Sequence, residues 1–172
     1  MAQENKPQPS ASLPQTSLLD RIAVAIDDEQ SRRRVSVKMT VRGGLPSQRY
    51  TFEFTATGDG TATCRVDDQL RKRKSDSSAA RATLGQKDFV DLLKKIRPAL
   101  ERPAEQPLFL PDTVVGILEV SDGTAVRRIY FAADPDQAQT QGKVPPREVG
   151  QAIDAVYAAG AQLAGMRDVK PY

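Results

Sequence analysis

Between Val35 and Val66 the chain alternates apolar and polar residues in three successive runs, and this pattern limits the possible folds more than any other feature. Val35, Val37, Met39 and Val41 alternate with Ser36, Lys38, Thr40 and Arg42. Successive side chains of a strand point to opposite faces, so the segment reads as a strand with one buried and one wet face. Gly43-Gly44-Leu45-Pro46-Ser47 makes a turn. Tyr50, Phe52, Phe54 and Ala56 then alternate with Thr51, Glu53 and Thr55 in a second strand, and Gly58-Asp59-Gly60 makes a second tight turn. A third strand follows with Ala62, Cys64 and Val66 on one face. Short turns between consecutive strands allow only antiparallel pairing, so the three form a meander.

A sheet with one apolar face must bury it against another layer, and the helical segments supply that layer. Leu18, Leu19, Ile22, Ala23 and Ile26 sit at helical spacing over 17–30, with Thr16 or Ser17 as cap and Asp20 in the first turn. Phe89, Leu92, Leu93 and Ile96 fall at i, i+3, i+4 and i+7, a helix that Pro98 stops or kinks. A last helix carries Val149, Ile153, Val156, Tyr157 and Ala161 on one side, with Gly160 and Gly165 weakening its end. Between these helices, Val114 to Val120 is apolar enough for a strand buried on both faces. Asp122-Gly123 signals a hairpin, and the next strand alternates Val126, Arg128, Tyr130 and Ala132 with Arg127, Ile129 and Phe131. Residues 67–83 and 134–146 read as loops, and 101–112 as a Pro-rich link. The expected fold is α+β in the order α-βββ-α-ββ-α: an antiparallel sheet of about five strands with helices packed on one face. Residues 17–172 form one domain behind a Pro-, Gln- and Ser-rich tail, 1–16, expected to be disordered.

The chain contains no histidine, which removes His-based triads, His general bases and His metal ligands. A lone cysteine, Cys64, excludes an intrachain disulfide and a Cys-rich zinc site; it reads as a small buried core residue in a reducing, cytoplasmic setting. The first residues lack the apolar core of a secretory signal, and no stretch approaches the roughly 20 apolar residues of a membrane span. Asp67-Asp68 and Asp134-Asp136 could bind a cation, but Asp is common in turns and no EF-hand spacing is present. The Gly-containing segments lack the Walker lysine and the G-x-G-x-x-G spacing, and no nucleophile elbow occurs. The expectation is a protein that is not an enzyme, with no cofactor and no metal.

The net charge of +3 hides an uneven distribution: 31–97 carry sixteen basic and seven acidic residues, while the flanking regions are net acidic. Two clusters stand out, Arg32-Arg33-Arg34 before the first strand and Arg71-Lys72-Arg73-Lys74 after the third. In a meander these lie at opposite ends of the sheet, which argues against one continuous basic patch. Lys38, Arg42 and Arg49 add charge on the wet face of the first hairpin. Leu108-Phe109-Leu110 is a short apolar run that either caps the core or anchors a partner, with Phe109 its central candidate. The expected function is binding or regulation through contacts with another protein. The alternative is sequence-independent binding of a nucleic-acid backbone by Arg32, Arg33, Arg34, Arg71, Lys72, Arg73 and Lys74. Against the alternative, no nucleic-acid-binding motif is present and the few aromatics fall mostly at core positions. The hairpin with Gly43-Gly44 followed by a helix is similar in layout to small bacterial proteins that bind and inhibit proteases; the likeness covers about half the chain and transfers no residue.

Overall fold

The computed structural model describes residues 17–43, 50–68, 77–105, 107–167 and 169–170. The expected tail 1–16 and the cluster Arg71–Lys74 lie outside the described residues, as does Arg49. Two short helices come first, α1 (Leu18–Asp27) and α2 (Glu29–Arg32). Four strands follow, β1 (Ser36–Gly43), β2 (Tyr50–Thr57), β3 (Thr61–Asp68) and β4 (Ser77–Thr83), then α3 (Gln86–Leu100). The chain ends with β5 (Val115–Ser121), β6 (Val126–Ala132), α4 (Pro135–Thr140) and α5 (Arg147–Ala164).

The six strands form one antiparallel sheet in the order β4-β3-β2-β1-β5-β6. The class is α+β, with six strands rather than about five. The additional strand is β4, within the segment expected to be a loop. Its sequence, SSAARAT, has no large apolar side chain, because it lies at the sheet edge where little core is available to fill. The expected loop 134–146 likewise contains the short helix α4, which Asp134 caps by accepting from the amides of Asp136 and Gln137.

Val37, Met39, Val41, Phe52, Phe54, Ala56, Cys64, Leu118 and Val120 are buried on one face beneath α1, α3 and α5. The packing of α5 is close: a side chain at Gly160 would meet the Phe52 ring at 2.7 Å, so this glycine lets the helix seat on β2 and β3. The Phe52 and Tyr157 rings stack at 4.9 Å with a 52° tilt. The helix α3 runs past Pro98 to Leu100, since the proline sits in the last turn and Ala99 and Leu100 are buried beyond it.

The first helix is pinned to the domain. Ser17 and Asp20 form a capping box at its start, and Ile22 and Ala25 are fully buried. Its continuation breaks at Asp28, whose side chain accepts from the Ser31 amide at 2.6 Å and opens α2. The helix layer covers one face alone. Val115, Ile117, Glu119 and Ser121 of β5 are therefore only half-buried on the opposite face, not enclosed on both sides as the apolar run suggests.

Candidate functional site

The helices leave the opposite face of the sheet open. Strand register orders its side chains into rows. One row runs Arg81, Thr63, Thr55, Lys38, Glu119, Arg128 from β4 to β6. The next runs Ala79, Arg65, Glu53, Thr40, Ile117, Tyr130, and a third runs Asp67, Thr51, Arg42, Val115 and ends at Ala132, which is buried. The face thus divides into a polar and basic region over β1–β4 and a more apolar region, Val115, Ile117 and Tyr130, over β5 and β6.

Two of the cations are neutralised in place. Arg42 pairs with Glu53, and Arg128 donates to Glu119 at 2.6 Å across the β5–β6 ladder. That pairing and the carboxylate's charge hold Arg128 firmly in its charged form. Lys38, Arg65 and Arg81 have no ion-pair partner among the described residues. These three cations line a shallow depression of about 440 Å³ together with Thr40, Thr55 and Thr63.

The link between α3 and β5 borders the β6 edge. There Phe109 is half-buried and lines a groove with Tyr130 and Phe131, while its neighbours Leu108 and Leu110 are 90% and 64% exposed. Within the link, Phe109 thus turns inward toward the β6 edge while its two neighbours face outward.

The first basic cluster is divided in role. Arg32 is buried and each of its three guanidinium nitrogens donates a hydrogen bond. Its Nε donates to the Ala25 carbonyl and one Nη to that of Ile26, both at 2.9 Å, so it closes the last turn of α1. The other Nη donates to Gln86 Oε1 at 3.0 Å, and Gln86 Nε2 donates to the Gly58 carbonyl at 3.0 Å. The burial of Arg32 removes it from any contact surface. Arg33 and Arg34 are exposed, and Arg33 pairs with Glu29 at 2.9 Å. They stand at the Gly58 end of the sheet, whereas β3 leaves at Asp68 beside Tyr50, at the other end. Alternation along the strands puts Lys38, Arg42 and, facing away from Cys64, Arg65 on the wet face; their grouping with Arg81 was not legible, because Arg81 belongs to a strand without an apolar signal.

The remaining reactive groups have structural roles. Burial pushes the Cys64 thiol up to about 11, so it stays protonated inside the core. Asp59 accepts from Thr57 and from the Thr61 amide in the β2–β3 turn, which holds its carboxyl below the usual range. Among the described residues no three His, Cys, Asp or Glu side chains gather as a metal-holding group, and no helix is long and apolar enough to cross a membrane. No protein-family model and no curated protein matches the chain.

Proposed function

We propose that this chain is a binding protein, not an enzyme, and that it holds another protein on the open face of its sheet. One observation carries the reading: among the described residues no helix covers the outer face of the six-stranded sheet, and that face carries an apolar region, Ile117 and Tyr130, together with cations that have no described acidic partner. Apolar contact with a charged margin is the composition of a protein interface. The exposed Leu108 and Leu110 beside the same edge extend the apolar area. A cytoplasmic setting agrees with the single buried thiol.

The test is capture from a nuclease-treated native lysate by the immobilised chain, with an I117D/Y130A variant in parallel. A discrete protein retained by the wild type and lost by the variant supports the reading. Equal capture by both chains counts against it.

The second reading, binding of a nucleic-acid backbone, is favoured by Lys38, Arg65 and Arg81, which have no ion pair among the described residues, and would draw on Arg33, Arg34 and the cluster Arg71–Lys74. It predicts an affinity that falls steeply with salt, and a shallower slope when Arg71, Lys72, Arg73 and Lys74 become alanine. A slope that does not move excludes that cluster as the contact.

A further inference from the structure

We infer that the depression between Lys38, Arg65 and Arg81 takes a short acidic stretch of the partner protein, two or three Asp or Glu carboxylates seated among the three cations. This rests on the open face being the binding surface. Arg65 and Arg81 lie diagonally across the β3–β4 ladder, with Cα atoms ~8 Å apart, and Lys38 lies two strands from β3, ~12 Å from Arg65. Side chains as long as these can turn their heads toward one ligand across such separations. The floor between them is Thr55 and Thr63, whose hydroxyls donate to a carboxylate as readily as to water.

Charge balance argues for an anionic ligand. Among the described residues four cations, Lys38, Arg42, Arg65 and Arg81, line the depression against one carboxylate, Glu53, which Arg42 already holds. Arginine offers a planar pair of donors that matches a carboxylate, so Arg65 and Arg81 suit this ligand geometrically as well as by charge.

The extent of the patch favours an acidic peptide over a nucleic acid. Among the described residues the cations form an island. Continuing along the Lys38 row leads to Glu119, the neighbour of Arg65 across the β2–β3 ladder is Glu53, and Asp67 lies two residues further along β3. A phosphodiester chain laid over the face would meet these carboxylates within a few steps. Backbone-tracking grooves also carry stacking aromatics, and among the described residues this face presents Tyr130 alone. A few carboxylates fit inside the island, and apolar side chains flanking them would fall on Val115, Ile117 and Tyr130.

The experiment measures fluorescence anisotropy of labelled poly-L-glutamate and of a labelled oligo-dT, each titrated with the full chain and with a K38Q/R65Q/R81Q variant. Thermal melts first establish that the variant is folded. Poly-glutamate should bind the wild type, and the variant should bind at least about tenfold more weakly, as expected when three charge-assisted contacts are lost. A K38E/R65E/R81E variant should reverse the preference and bind poly-L-lysine. Absence of poly-glutamate binding, equal binding by wild type and glutamine variant, or tighter oligo-dT binding that the same variant abolishes would each overturn the inference, the last in favour of nucleic acid. The lysate capture distinguishes the acidic ligand from the open face as the binding surface. Capture that survives K38Q/R65Q/R81Q but not I117D/Y130A leaves the open face as the surface and removes the acidic ligand. Capture unchanged by both variants removes the underlying reading as well.

Discussion

Asp122 accepts from Arg21, from the amides of Thr124 and Ala125 at 2.9 and 2.8 Å, and from the Thr124 hydroxyl at 2.8 Å, and so ties α1 to the β5–β6 turn. Burial pushes its carboxyl up, but Arg21 and the turn donors outweigh burial and hold it well below the ordinary 3.8. A depressed carboxyl contributes stability that is fully present above its unfolded value and is lost as pH falls through the folded one. The Asp122→Asn variant should therefore lose about 2 kcal/mol at neutral pH, with the gap from wild type narrowing below about pH 3.8, as read by urea unfolding at several pH values. Arg32 and Gly58 form a second such point. A Cβ at Gly58 would stand 1.8 Å from the Arg32 carbonyl oxygen, so Gly58→Ala must push the α2 turn off the β2–β3 turn, costing about 3 kcal/mol. Arg32→Lys should fall well short of wild-type stability, because one ammonium cannot serve Ala25, Ile26 and Gln86 in their three directions. Cys64 should react with a thiol reagent only as the domain opens, so that urea accelerates labelling at fixed pH; rapid labelling of the native protein would contradict its burial.

Among the elements, β4 differs most from its neighbours. It pairs with β3 alone, and its inward positions Ala80 and Ala82 are half-buried and exposed, while the corresponding residues of β3, Cys64 and Ala62, are buried. A strand with so little apolar area is held mainly by its ladder bonds. Amides of Ser77–Thr83 should therefore exchange with solvent much faster than those of Ser36–Gly43, which lie between two partners. Equal protection in hydrogen exchange would show that something further covers the β4 edge. In α5 the relation between residue and element runs the other way. Gly160 weakens an isolated helix, yet here it makes the close approach to Phe52 possible, so its role depends on the sheet beneath it.

For the whole molecule, the core and the proposed binding surface lie on opposite faces of one sheet. The core lies under α1, α3 and α5, and the proposed contacts lie on the side without helices. Substitutions on the open face should thus separate the two properties. K38Q/R65Q/R81Q should change unfolding free energy by no more than about 0.5 kcal/mol per site, since none of the three side chains has a described ion pair to lose. A large loss in chemical denaturation would place one of them in the scaffold instead.

The alternating runs of 35–66, the helical spacing of Phe89–Ile96 and Val149–Ala161, and the absence of histidine were enough to establish the strands of the meander, the buried faces of two helices and the exclusion of His chemistry. These are local properties, fixed by which side chains must leave water within one segment. The edge strand β4 left no such trace, because its residues bury little and carry no period. Insertion of β5 beside β1, which brings Ile117 and Glu119 alongside Thr40 and Lys38, depends on contacts between residues about eighty positions apart. The same holds for Arg32, one of three consecutive arginines, whose burial comes from a helix end and a turn that meet only in the folded chain. The open face is therefore a product of tertiary structure: each strand supplies its wet side chains, and only the order of strands decides which of them become neighbours.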